Sequence, residues 1–189
     1  MALSQIALCS RALIKLGAQP IASFTEGTVE SQVAAALFPS VRDGLISAHP
    51  WSFASAQATL PRLANDPVAD HRYAYQLPPD FLRALSVGQG ARGRGTAYRI
   101  VESTLQTDSD GIVLSYIFRP DESAFPPFFD AALIAALAAE FCLPVTESTS
   151  RAELLYRLAG NEFRRARLID AQQDTPQSFE DFSLVEARR

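Results

Sequence analysis

Apolar positions recur at helical spacing in four stretches of the chain and at strand spacing only in its middle. Ile6, Leu13 and Leu16 lie on or near one helical face, and Gly17 follows as a stop. Val33, Leu37, Val41, Leu45 and Ala48 fall at steps of four and three and share a face. Thr28 is a good N-cap for this second helix, with Glu30 favourable in its first turn. Pro39 lies inside it, removes one backbone donor and predicts a kink or break near Leu37. Pro50 disfavours helical geometry at His49 and closes the helix. Trp51, the single Trp of the chain, follows at once, with Phe53 two residues on. A long helix thus delivers two aromatic anchors to one corner, where they are expected to be buried and to pin the helix end to the middle of the chain.

The middle has a different period. Prolines at 61, 67, 78 and 79 exclude a long helix. Residues 72–77 alternate as a strand, and 81–87 form a second strand or a turn of helix running into one. Thr96–Val101 and Gly111–Phe118 are stronger strands, rich in Val, Ile and Tyr. Asp108-Ser109-Asp110-Gly111 between them is a turn signal. A small antiparallel β unit over about 55–120 follows from this.

Helix returns at Pro127. Phe129, Leu133, Leu137 and Phe141 are spaced by four, and Ile134 with the surrounding alanines makes this helix apolar nearly all round, so it is buried on several sides. Pro144 is read as its end. Ser150 with Glu153 is a capping-box signature for a fourth helix. Its inner face is Leu155, Ala159, Phe163, Ala166 and Ile169, and Arg157, Arg164, Arg165 and Arg167 give it a basic outer side. The predicted fold is α+β. Helices over 4–16, 29–48, 127–143 and 151–172 surround one core, and the β unit is inserted between helices two and three. Residues 1–173 form a single domain, and 174–189 an extended tail. The tail is polar apart from Phe179, Phe182 and Leu184, which are too separated to form a core; they read as a strap across the chain's own surface or as a docking peptide.

Composition narrows the function. The 189 residues carry a net charge of −4, which argues against broad electrostatic binding of nucleic acid. Positive charge is almost all Arg, with Lys15 the one lysine. Cys9 and Cys142 lie in apolar helical patterns without a CxxC partner and read as buried free thiols in a reducing compartment. No signal peptide is visible, and the most apolar stretch, Ala131–Ala139, falls short of the ~20 residues of a membrane span. No membrane partner is expected.

Candidate chemistry is sparse. Gly88-Gln89-Gly90-Ala91-Arg92-Gly93 matches G-x-G-x-x-G, but a strand pattern follows it where a dinucleotide site needs a helix N-terminus. The loop instead offers Arg92 and Arg94 to phosphates or to a neighbouring subunit, or is a solvated hairpin loop. His49 and His71 are the two histidines, with neither a Gly-x-Ser-x-Gly elbow nor an H-x-x-x-H spacing beside them. Glu102, Asp108, Asp110, Asp121 and Glu122 cluster around the β unit; a suitably spaced pair could cleave glycosides, but acids beside turns more commonly form turns. The expectation is no catalytic residue, no metal and no cofactor.

Four segments together resemble the head–tail adaptor (connector) family of tailed phages and gene transfer agents, the family of the podovirus tail tubular protein A. They are Ala7–Gly17 followed by Pro20-Ile21; Phe38–Asp43 through His49–Ala54; Tyr73–Arg83 with Leu114–Ile117; and Phe128–Leu133, Leu137–Glu140 and the helix end from Arg165 to Gln172. The resemblance covers nearly the whole chain in order, and the Gly88–Gly95 loop lies outside it. It implies a structural protein that forms a dodecameric ring below the portal at the head–tail junction of the virion or phage-like particle. It implies three partners besides further copies: the portal protein, the next tail component (a stopper or nozzle), and double-stranded DNA in transit. It implies that the tail docks on the portal through Phe179, Phe182 and Leu184, with Arg188 and Arg189 free to pair with carboxylates there. Assembly would take place in the bacterial cytoplasm. The alternatives are a tail-associated peptidoglycan hydrolase and a small DNA-binding module.

Overall fold

The structure, a computed structural model, describes residues 3–90 and 93–173. Its helices are α1 (Gln5–Lys15), α2 (Val29–Ser47), α3 (Pro127–Thr146) and α4 (Thr149–Asp170). Among the described residues six strands lie between α2 and α3, and the fold is α+β. They are β1 (Ser55–Thr59), β2 (Tyr73–Gln76), β3 (Phe81–Gln89), β4 (Arg99–Val101), β5 (Thr104–Thr107) and β6 (Ile112–Phe118).

The helix starts follow from capping chemistry. Ser4 Oγ accepts from Ala7 N at 3.2 Å, and Thr28 Oγ1 accepts from Ser31 N at 3.2 Å. Each satisfies a donor that the first turn would leave open. Gly17 takes φ 72° directly after α1, a conformation that disfavours any side chain.

Two expectations about helix ends need correction, and of the kink or break expected at Pro39 the break is absent. Pro39 does not break α2, which runs unbroken from Val29 to Ser47. Its ring is on the exposed side, where water can satisfy the carbonyl that loses its partner. Pro144 does not end α3; the helix continues to Thr146 and stops at Glu147, in left-handed conformation at φ 54°. Pro144 is also exposed. The N-cap of α4 is Ser148, not Ser150: Ser148 Oγ accepts from Arg151 N at 3.4 Å.

The four helices enclose one core. Phe129, Leu133, Leu137 and Phe141 of α3 are all fully buried there, with Leu8, Cys9, Ala12 and Leu13 of α1. Helix α3 is long and apolar enough to cross a membrane by length and composition, but it is the central element of this core. On α2 the most buried apolar side chains are Ala34, Phe38 and Ile46; Val33, Leu37, Val41 and Leu45 flank them half-buried, and Ala48 is exposed.

The β unit is two antiparallel three-stranded sheets, ordered β1-β6-β3 and β2-β5-β4. The turn at 108–111 therefore does not close a hairpin between the two strongest predicted strands. It carries the chain from β5 in one sheet to β6 in the other, while β4 pairs with β5 through a tight turn at Glu102, φ 54°. A second core of Leu60, Tyr75, Leu77, Val87, Leu105, Ile112, Leu114 and Tyr116 draws on both sheets. Strand period explains how β6 serves two cores. Ile112, Leu114 and Tyr116 point into the β core, whereas Ile117, on the opposite face, joins the helical core with Leu82 and Leu85 of β3 packed beside it.

Candidate functional site

Three places position side chains beyond what a core requires: the corner after α2, the junction between helices and β unit, and the outer face of α4.

At the corner, Trp51 is fully buried and donates Nε1–H to Leu45 O at 3.1 Å. Phe129 and Phe163 meet it edge-on, with ring centroids at 5.2 and 5.7 Å. Phe53, half-buried, stacks into the same cluster 4.9 Å from Phe129. The expectation that Trp51 pins α2 to the β unit is corrected: its ring partners lie on α3 and α4, so it ties three helices together. His49 caps this cluster edge-on to Trp51 at 4.8 Å. Burial and the nearby guanidinium of Arg167 hold its imidazole below the usual histidine value, opposed by the carboxylate of Asp170. Asp170, the last residue of α4, is buried and accepts from Ser52 N at 3.1 Å and Ser52 Oγ at 2.6 Å. Ser, Asp and His thus meet, with Asp170 between the other two and its Oδ2 3.7 Å from His49 Nε2. A nucleophile triad needs His in the middle. This arrangement instead caps the short turn at Ser52–Ala54 and fastens the end of α4.

At the junction, Asp43 of α2 receives Arg119, which leaves β6, in a bidentate pair with contacts of 2.6–3.1 Å. Arg42 donates to Asp43 Oδ1 at 2.9 Å and to Glu122 Oε1 at 2.7 Å, and Gln5 of α1 donates to the same Glu122 oxygen at 2.8 Å. These bonds clamp the segment by which the chain returns from the β unit to the helices. Burial acts against the carboxylate of Asp43, but the two guanidinium partners outweigh it and hold its pKa below the ordinary value.

The outer face of α4 carries Leu154, Tyr156, Leu158 and Leu168, each about half exposed or more. Leu154, Leu158, Asn161, Arg165 and Leu168 follow each other at steps of four and three, so they form one row along the helix. Arg157, Arg164 and Arg167 flank that row and are exposed. A groove of about 370 Å³ lies beside the C-terminal half of α4, lined by His49, Arg164, Arg167, Leu168 and Ala171. Two others, of about 420 and 500 Å³, flank the start of α3. The larger includes Arg11, Lys15 and Asp130; Asp130 Oδ1 is buried without a hydrogen-bond partner among the described residues, and burial raises its pKa.

The remaining candidates are dispersed. Cys9 and Cys142 are both buried free thiols, and burial pushes the Cys9 thiol up to about 12. Asp108 caps the backbone of Arg72, Glu122 belongs to the junction clamp, and Glu102 forms the β4–β5 turn. These acids serve separate local roles. Arg94 is exposed on the glycine-rich loop, which folds back so that Gly93 O accepts from Ser86 Oγ at 2.7 Å. A side chain at Gly93 would meet Gln57 and Ser115, so glycine fits there for space. Arg92 lies outside the described residues, as do Phe179, Phe182, Leu184, Arg188 and Arg189. Among the described residues no group of three or more His, Cys, Asp or Glu side chains is placed to hold a metal ion.

Sequence reasoning identified the arginines of α4 but not the leucine row between them. The signal was present as a second apolar period on a helix whose inner face was already assigned. The junction clamp had no such signal, because its bonds across the junction span 76 to 117 positions.

No protein-family model matches the chain, and no curated protein matches it significantly in sequence.

Proposed function

We propose that the chain is a structural subunit of a head-to-tail adaptor in a tailed phage or gene transfer agent. Copies would form a dodecameric ring below the portal, join head to tail and leave a passage for DNA. The observation that carries this reading is the apolar row on the outer face of α4. Leu154 and Leu158 are about half exposed on a helix whose opposite side is already packed on α3. Exposed large side chains that line up along one helix are a feature of surfaces covered by another protein. The rigid junction between helices and β unit supports the same reading. Such a clamp lets one part of a subunit hold its neighbours while the other projects toward the next component.

The resemblance in chain order is what favours this assembly over others, and the α4 row is what favours a lateral contact between copies. The acidic net charge is compatible with a conduit, because strong phosphate binding would retard DNA in transit. Mass measurement of the purified chain, alone and with portal protein, tests the proposal. The expected result is a ring of copies on the portal, lost when Leu154 and Leu158 are both replaced by Glu. Turnover of peptidoglycan, or a steeply salt-dependent affinity for duplex DNA without portal binding, would overturn it.

A further inference from the structure

The groove beside the end of α4 combines an apolar floor with an unbalanced charge. Leu168 and Ala171 offer apolar surface, Arg164 and Arg167 stand one turn apart, and no carboxylate lines it among the described residues. Asp170 is close in sequence but buried and bonded to Ser52. Among the described residues neither arginine forms an ion pair: Arg164 bonds to Asn161 and Gly160, and Arg167 lies over the ring of Phe163. Such a groove fits an acidic segment that carries an aromatic side chain.

The chain itself contains that segment. Helix α4 ends at Asp170, and sixteen residues follow Gln173. Residues 174–186 contain Asp174, Glu180, Asp181 and Glu186, with no Lys or Arg. Phe179 stands immediately before Glu180 and Asp181. Phe179 lies six positions beyond Gln173, enough for about 20 Å of extended chain. Ala171 already lines the groove, so one reversal suffices, and Pro176 suits a turn there.

We propose that residues 174–186 fold back in cis onto their own α4, with Phe179 against Leu168 and Ala171, and Glu180 and Asp181 on Arg164 and Arg167. A seat reached by so short a tether sees its ligand at an effective concentration in the millimolar range, so the copy's own segment wins over that of a second copy in dilute solution. The consequence for assembly rests on the adaptor reading: the same segment would dock on the portal, and the groove holds it until the portal competes for it.

Hydrogen exchange of the full-length protein tests the seat without any portal. Amides of residues 178–184 are expected to exchange at least about tenfold slower than in an unstructured chain. That protection should not change with protein concentration. It should vanish in Arg164→Glu/Arg167→Glu and return when Glu180→Arg/Asp181→Arg is added. Leu168→Asp, at an exposed position, should abolish it independently. Free-chain exchange in the wild type overturns the proposal. Protection that grows with concentration places the segment on a second copy and overturns the cis seat. Protection that survives both the charge reversal and Leu168→Asp places it elsewhere and overturns the groove. Portal attachment, assayed separately, tests the adaptor reading alone, because a chain that fails to attach can still show the exchange pattern.

Discussion

Arg119 closes a bidentate pair on Asp43 across 76 positions of sequence, with Nη2 2.6 Å from Oδ2. The pair joins the exit of β6 to the middle of α2. Arg42 stands beside it, 12% exposed, and shares Asp43 while holding Glu122. A network of this kind fixes the angle between two parts of a subunit better than either hydrogen bond alone.

Asp43→Asn should therefore loosen the junction. Two guanidinium groups lose a charged acceptor, and hydrogen bonds to charged groups contribute roughly 1.5–3 kcal/mol each when shielded. Arg119 is 43% exposed, so solvent screening reduces its share. We expect a loss of about 1–2 kcal/mol in urea unfolding, read as a lower midpoint at unchanged slope. A double-mutant cycle with Arg119→Gln should show coupling; purely additive effects would mean that the pair carries no load.

Trp51→Ala should be far more damaging. The side chain is fully buried among Phe53, Phe128, Phe129 and Phe163, and truncation of such a ring costs about 3–5 kcal/mol. Trp51→Phe keeps most of the packing and loses the bond to Leu45 O. Its melting temperature should fall between those of wild type and the Ala variant. An Ala variant that melts with the wild type would remove the corner from the account of stability.

The elements with long, regular period were legible in the sequence. All four helices appear close to where apolar spacing put them, because capping residues and a four-residue repeat are local signals. What failed was decided by partners far away in the chain. Strand β1, Ser-Ala-Gln-Ala-Thr, has no β-rich composition; it is a strand because Ser55–Thr59 pairs in full register with β6. Strand β5, four residues long, was not read from the sequence, so the 108–111 turn stood directly between the 96–101 and 111–118 strands. Pro39 and Pro144 failed as helix breakers because both are exposed, which a sequence does not show. Trp51 was legible as a buried anchor but not as an anchor of helices, since β1 follows it so closely in the chain.

Stability should fall on the acid side of neutrality. The imidazole of His49 is held below 6.5 by burial and Arg167. Between its folded value and 6.5 the unfolded state binds more protons, so stability falls as pH drops through that window. Asp43, held below 3.8, adds stability that is present above 3.8 and lost as pH falls through its folded value. Asp130, raised by burial, has the opposite slope between 3.8 and its folded value. Urea midpoints measured from pH 7 to 5 should decline in the wild type. The decline should flatten in His49→Gln, and an equal decline in that variant would assign it to other groups.

The last prediction concerns residues 174–189. Phe179, Phe182 and Leu184 stand among polar neighbours, and ordering each residue costs ~1–2 kcal/mol of backbone entropy. Three separated apolar side chains do not offset that over sixteen residues unless another surface, the groove on α4 or a partner, receives them. Among the described residues, every member of the helical core cluster lies at or before Ala166. Deleting 174–189 should therefore leave the helical signal and the cooperative melt intact. On the adaptor reading it should also abolish attachment to portal-bearing heads, whereas Arg188→Ala/Arg189→Ala alone should weaken attachment only slightly, because exposed ion pairs contribute little. Occupancy on purified heads, counted by quantitative mass spectrometry, distinguishes these outcomes. Truncated protein bound at wild-type occupancy would show that docking resides in the folded body, with the α4 row as the next surface to mutate.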